Sequence, residues 1–376
     1  MAGSINISSS TLTVLVMAVT LYQSLFIDAF IQHQHTTTLR IQRRYLASSK
    51  DDIDIPLDTT TISSTPSSNP FLPLLSKGLH QTSIAMNKDT SNKVFSKSSS
   101  SLQRLRKQVI TNTKVGPSSL GEHAGLGLFA TKNIKAGTIV GLYPAHALGY
   151  ELVVPIDNNE SDDDDAMNNE DNLQDLSMFM SGNEQDEKYF AENPHGNSPY
   201  LHATDQPLFQ RPSLLSPLFN EDSKDEMSPP LYLDVNPTRN DELDPIWTSH
   251  YINDGASLLD TIQQKDTSIE DGIEEYYTHS TSNKNCIHIP FGPSPLLATI
   301  TTKKAKKGQE LFTSYGVVYW LGSVDMDDDT ASSTSMTETI QNQILQSARD
   351  LQAAMEVARN AYSNESSDLI AAFDDL

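Results

Sequence analysis

Four residues in this chain are of types that could do chemistry together: Gly125, Gly127, Asn253 and Tyr315. Two glycines one residue apart let the backbone turn tightly and approach a ligand without a Cβ in the way. An asparagine side chain both donates and accepts hydrogen bonds, which suits it to holding a polar ligand. A tyrosine hydroxyl, with a reference pKa of about 10, is neutral at pH 7. It can orient an amine and stabilise developing charge without acting as a full base. Each also has a plainer reading. Gly125-x-Gly127 suits any tight turn, and it does not open a helix inside a βαβ unit as a dinucleotide fingerprint would. Asn253 stands before Asp254-Gly255 as a turn-former would, and Tyr315 would also suit the core at a strand end.

The elements that must position these residues are short and mostly extended. Residues 125–130, GLGLFA, are compact and apolar, and Lys135-Ala136-Gly137 reads as a turn. Thr138 to Tyr143 is β-branched and aromatic, hence a strand. Leu231 to Val235 and Leu296 to Thr301 read as strands, Lys306 to Gln309 as a turn, and Glu310 to Tyr315 as a last strand. Between them lie two acidic stretches, 156–229 and 258–284, to which the sequence assigns no core structure. The first includes the run Asp162 to Asp165, whose lack of a turn-forming glycine frame makes it a poor calcium cage. Within the tail, 323–376, Ile340, Ile344, Ala348, Leu351, Met355, Ala358 and Tyr362 recur every three or four residues. They predict a one-faced helix over about 336–362, opened by a Ser335–Glu338 capping box, packing on the domain or on a partner.

Taken in order, the motifs resemble those of SET-domain lysine methyltransferases. His123 to Thr131 is similar to the family's opening glycine motif, and Ile134 to Val140 followed by Tyr143 to its next strand pair. His250-Tyr251-Ile252-Asn253-Asp254 stands where the family has Arg-Phe-Ile-Asn-His. Asn285-Cys286-Ile287 matches the strand after it, and Ala305 to Gly316 the closing strand that ends in the family's catalytic tyrosine. The resemblance implies a mainly β fold, a SET-domain β-clip of short antiparallel sheets with a pseudoknot. Its core would run over 113–155 and 230–322, with disordered acidic insertions and a C-terminal helix. It implies S-adenosyl-L-methionine as cofactor, held by Gly125, Leu126, Gly127, His250 and Asn253. Tyr315 and Tyr143 would be catalytic, and His288, Thr313, Tyr319 and Trp320 would line the substrate channel. His288 also suits a plain surface position, and Tyr319 and Trp320 ordinary packing.

Several positions depart from the family pattern. The usual histidine after the asparagine is Asp254, and a frequent zinc-cluster cysteine is Ala256. No Cys-rich segment follows Tyr315, so no zinc-bearing lid and no metal are expected. Thr313 replaces the aromatic that limits methyl number in many relatives, which leaves mono-, di- or trimethylation open. These departures keep a second reading alive, a degenerate SET module that serves as a protein-binding scaffold.

Composition narrows the partners. The 376 residues carry a formal net charge of −23 and one cysteine, Cys286, which excludes an internal disulfide and a general nucleic-acid surface. An acidic chain attracts a basic, lysine-containing protein substrate. The chain is expected to work as a monomer. Thr11 to Phe30 is almost wholly apolar or small and reads as a signal peptide or signal anchor, the one stretch suited to membrane contact. Ile31 to Lys50, with Arg40, Arg43, Arg44 and no acid, has transit-peptide composition. Together they resemble the two-part presequences of complex plastids; secretory or endomembrane delivery is the rival address, and the nucleus fits less well. Residues 51–112 read as a Ser/Thr/Asn-rich linker, with a short basic helix over 101–110. The sequons at Asn159 and Asn364 matter only in a secretory lumen.

Overall fold

The computed structural model describes residues 71–95, 99–155, 173–195, 198, 200–203, 231–258, 261, 269–293, 295–316 and 338–376. Residues 11–50, read as a presequence, the Asp162–Asp165 run, Ser335, Tyr319 and Trp320 lie outside these residues. Among the described residues no helix is long and apolar enough to cross a membrane.

The stretch read as a linker holds three helices, α1 (Phe71–Met86), α2 (Asn92–Phe95) and α3 (Ser100–Asn112), the last covering the short helix expected over 101–110. Leu75, Leu79, Thr82 and Met86 recur at helical spacing in α1, and all four are buried. Ser99 caps α3 by accepting from the Leu102 amide at 3.2 Å. Leu102, Leu105 and Val109 form its buried stripe. Two polar contacts reach from these helices into the core. Trp247, 1% exposed, donates Nε1–H to the Ala85 carbonyl at 3.0 Å. Arg106 makes a two-pronged ion pair with buried Asp244, which also accepts from Ser91 Oγ at 2.7 Å. A linker carries no such buried stripe, so this expectation is corrected.

The β-structure is a set of short sheets. β1 (Thr113–Pro117) and β2 (Leu126–Ala130) form an antiparallel hairpin, with Gly116 opposite Gly127. β3 (Ile139–Tyr143) is the first strand of a three-stranded antiparallel sheet. β4 (Ala147–Pro155) pairs along its whole length with β5 (Leu173–Ser181), after which come α4 (Glu184–Glu192) and the two-residue β6 (His202–Ala203). β7 (Leu231–Asp234) sits between β4 and β6, giving the order β5-β4-β7-β6. Residues 173–192 of the first acidic stretch are therefore a sheet edge and a helix, not a structureless loop. Next come β8 (Asn253–Asp254) and α5 (Ile269–Asn283), so the second acidic stretch also holds a helix. β9 (Cys286–Pro290) and β10 (Leu297–Thr301) complete the sheet in the order β3-β10-β9. β11 (Phe312–Thr313) pairs in parallel with β8. The turns expected at Gly137 and Gly308 form, with φ of 78° and 82°.

The terminal helix, α6 (Glu338–Asp374), runs further than expected and breaks at Tyr362, whose φ of −132° is non-helical. Ala354, Ala358, Leu369, Ala372 and Phe373 join the core of α3, β3, β9 and β10. The Tyr362 hydroxyl accepts from the Ile139 amide at 3.2 Å and from Gln108 Nε2 at 3.0 Å. Of the two expected destinations for this helix, its last 25 residues, 350–374, take the domain.

The chain forms two compact units, passing between them after Gly255, His279, Ser314 and Arg349. The larger holds every sheet above. In the smaller, Leu258, Ile273, Tyr276 and Tyr277 are buried, and the Gly316 amide donates to the Tyr276 hydroxyl at 3.1 Å.

Candidate functional site

The glycine motif and the asparagine motif meet in the larger unit. Asn253 Nδ2 donates to the Leu126 carbonyl at 3.1 Å and to Glu310 Oε1 at 3.3 Å. Glu310, 4% exposed, also accepts from Ser118 Oγ at 2.8 Å, from the Ser119 amide at 2.7 Å and from Ser119 Oγ at 2.5 Å. A buried carboxylate is stable only when its lone pairs are met, and here hydroxyls, an amide N–H and Asn253 meet them. Sequence reasoning gave Glu310 no role. Its signal was Gly127: a Cβ there would stand 2.0 Å from Glu310 Oε1.

Gly127 has no room for a side chain, because Glu310 occupies that place. Gly125 is different. Its φ is 61°, and nothing lies within 4 Å of where a Cβ would stand. The neighbouring Leu126 side chain is 47% exposed. The open glycine, the exposed leucine and half-buried Asn253 form the accessible part of this junction.

A second lock involves Asn285. Its amide donates to the Phe312 carbonyl at 3.0 Å, its Oδ1 accepts from the Phe312 amide at 3.0 Å, and its Nδ2 donates to the Glu310 carbonyl at 3.1 Å. These bonds hold the closing segment while β11 lies parallel to Asn253–Asp254. Asp254 is buried and accepts from Ser280 Oγ at 3.3 Å. Cys286 is buried and free, and burial pushes its thiol up, which makes it inert.

The other sequence-predicted residues fall as follows. Tyr315 is half-buried and lies two residues beyond Thr313 in the chain, in the smaller unit. Thr313, expected in the channel, is 3% exposed inside the β8–β11 pair. His250, expected at the cofactor, is 5% exposed, its Nε2 hydrogen-bonded to Asn240 Oδ1 at 2.9 Å. Burial drives its pKa down to about 3, so the ring is neutral at pH 7. Tyr143 is 3% exposed and donates its hydroxyl to the Tyr200 carbonyl at 3.3 Å. Its ring meets His288 edge-on at 5.3 Å. His288 is half-buried: its Nδ1 bonds Thr299 Oγ1 at 2.7 Å, and burial holds its pKa well below the usual imidazole value. Among the described residues no group of three His, Cys, Asp or Glu side chains is placed to hold a metal ion.

Short paired sheets, a closing segment locked under the asparagine strand and a glycine turn joined to that asparagine define a SET-type architecture. The SET domain family matches residues 125–316, just over half of the chain, and the chain belongs to that family. Its members are usually protein-lysine methyltransferases and typically use S-adenosylmethionine. No characterised protein matches the chain as a relative.

Proposed function

We propose that this chain transfers a methyl group from S-adenosylmethionine to a lysine side chain of a basic protein substrate. The observation that carries the reading is the bond from Asn253 to the Leu126 carbonyl, which joins the two motifs that grip the cofactor in this family. The residues fit such a ligand: the space beside Gly125 is open, and the Leu126 side chain is exposed to receive an apolar face. Gly125, Leu126 and Asn253 would hold it. When bound, S-adenosylmethionine supplies an activated methyl on a sulfonium.

The chain's own residues have three tasks. The turn and Asn253 fix the donor, and fixing two reactants is worth several kcal/mol, of the order of 7–11 at best. Tyr143 and His288 form an aromatic wall whose low polarity disfavours an ammonium. This matters because a lysine amine, with a reference pKa of about 10.4, must be neutral to attack. Tyr315 is assigned the task of orienting that amine, on the likeness of residues 305–316 to the family's closing strand.

Calorimetric titration of the full chain with S-adenosylmethionine tests the reading. Uptake of one equivalent is expected; no heat would leave only the scaffold reading, a SET module that binds basic proteins. Tyr315→Phe is expected to keep that affinity and to lower methyl transfer to lysine peptides by about a hundredfold or more. Unchanged turnover would take the hydroxyl out of the mechanism. The plastid or endomembrane address we propose is tested by imaging a fluorescent fusion of the full chain beside one lacking residues 1–50.

A further inference from the structure

Three rings from three separate stretches of chain meet beside the Tyr143 wall. Tyr143 and His288 come from β3 and β9, within the core sheet. His202 comes from β6, in the segment between β5 and β7. The ring centroids are 4.8 Å apart for Tyr143–His202, 5.3 Å for Tyr143–His288 and 5.0 Å for His202–His288, each pair edge to face. The triangle is closed, so the wall that two core strands begin is completed from outside them.

The inserted segment is built to keep His202 there. His202 and Ala203 pair with Leu233 and Tyr232 of β7, which sets the direction of the ring. The Tyr200 carbonyl takes the Tyr143 hydroxyl. A few residues upstream, Ser198 Oγ at 2.5 Å and His195 Nδ1 at 2.7 Å both bond the fully buried carboxylate of Asp234, and Phe179 stacks on the His195 ring at 3.9 Å. Because Ser198 bonds the aspartate and not the histidine, this trio is a clasp and not a hydrolase relay.

His202 itself is half-buried, and neither ring nitrogen hydrogen-bonds another described residue. Burial lowers its pKa to about 4, so at pH 7 the ring is neutral and offers one N–H donor and one acceptor. His288, by contrast, already spends Nδ1 on Thr299. A polar edge left unmet in an aromatic wall costs free energy unless a partner arrives. A lysine amine is a partner of the right size and polarity.

We propose that His202 is a specificity-determining residue of the lysine site: it closes the Tyr143–His288 wall from the inserted segment and presents a ring nitrogen to the substrate's amino group. The inference rests on the methyltransferase reading and sharpens it. The width of the site is then set by a residue outside the core strands, and each methyl group on the amine must fit against that imidazole.

The test uses the full chain saturated with S-adenosylhomocysteine. n-Butylamine and its N-methyl and N,N-dimethyl derivatives stand in for the lysine side chain, and the histidine ring nitrogens are followed by ¹H–¹⁵N NMR. In the wild type, n-butylamine should move the His202 and His288 signals. Affinity should fall about tenfold from n-butylamine to the dimethyl amine, the size of effect that small apolar groups carry in a shaped site. His202→Ala should bring that ratio near one while leaving S-adenosylhomocysteine affinity unchanged. His202→Phe keeps the ring, so it should keep the ratio while weakening all three amines about fivefold through the lost hydrogen bond. An unmoved His202 signal, or an alanine variant with the wild-type ratio, would reduce His202 to packing. Amines that fail to bind beside bound S-adenosylhomocysteine would overturn the inference and leave cofactor binding standing. Failure to bind S-adenosylhomocysteine would remove the methyltransferase reading and the inference with it.

Discussion

Glu310 and Asp234 are both buried carboxylates that gather hydroxyl and amide donors, yet they hold different things. The donors on Glu310 come from residues 118, 119 and 253, so this one side chain ties the first strand hairpin, the asparagine strand and the closing segment together. The donors on Asp234 come from residues 195 and 198 of the inserted segment and from the adjoining amide of Val235. The first carboxylate organises the surface assigned to the cofactor. The second clasps the segment that carries His202 to the aromatic wall. The same physical device serves the grip on the methyl donor in one place and the shape of the substrate side in the other, so the two functions can be damaged separately.

The largest expected effect is at Glu310. Glu310→Ala would remove the acceptor shared by the part-buried Ser118 and Ser119 donors and one of the two acceptors of Asn253, at a cost of about 2–3 kcal/mol. Urea unfolding should show that loss. Calorimetry should show S-adenosylmethionine affinity falling with it, because Asn253 is no longer held from two sides. A variant that binds the cofactor with wild-type affinity would separate Glu310 from the site and break the contrast with Asp234.

Asp234→Asn should cost less, about 2 kcal/mol, because shape and one acceptor survive while the charge-assisted bonds to His195 and Ser198 weaken. Its effect should be local. Limited proteolysis should speed up within residues 195–203, and S-adenosylmethionine affinity should stay at the wild-type value. Loss of cofactor binding in this variant would mean that the two carboxylates do not divide the labour.

The difference between these regions also explains what the sequence made legible. Gly125, Asn253 and Asn285 could be read because a specific order of short motifs surrounds them, and the structure joins the first two through the Leu126 carbonyl. Three strands were readable from β-branched runs, including Ile139 to Tyr143 and Leu297 to Thr301. Glu310 was hidden because a carboxylate in a strand looks solvated until its donors, almost two hundred residues away, are known. Of the β4–β7 sheet β7 was read as a strand, and β5 was hidden for a related reason. Leu173 to Ser181 is flanked by acid runs and gains its partner only through tertiary pairing. The helices α1 and α5 were missed although their signals were present. Leu75, Leu79, Thr82 and Met86, like Ile273, Tyr276 and Tyr277, stand at helical spacing within stretches whose average composition is polar.

Acid offers the finest cut between the two regions. His146 belongs to the Asp234 side: its amide donates to the Asp234 carbonyl at 2.7 Å, its Nδ1 accepts from the Asn236 amide at 3.1 Å, and its carbonyl accepts from Gly182 at 3.0 Å. Burial, aided by the nearby Arg239 guanidinium and His250, lowers its pKa to about 3, against about 6.5 in an unfolded chain. Between these values the unfolded chain binds a proton that the folded chain refuses. The stability that His146 contributes is therefore complete above about pH 6.5 and is lost as the pH falls toward 3. The loss approaches about 1.4 kcal/mol per pH unit well inside that window and is about 1 kcal/mol on going from pH 6.5, where the unfolded imidazole is half protonated, to pH 5.5. His202, His250 and His288 act with the same sign, so the share of His146 must be read as a difference. His146→Asn keeps an acceptor for the Asn236 amide and cannot titrate. Urea unfolding of both proteins at pH 6.5 and 5.5 should show the variant losing about 1 kcal/mol less than the wild type over that interval. Equal losses would mean that His146 takes up its proton without unfolding the β4–β7 sheet, and that the Asp234 region is no more acid-sensitive at this residue than the junction at Glu310.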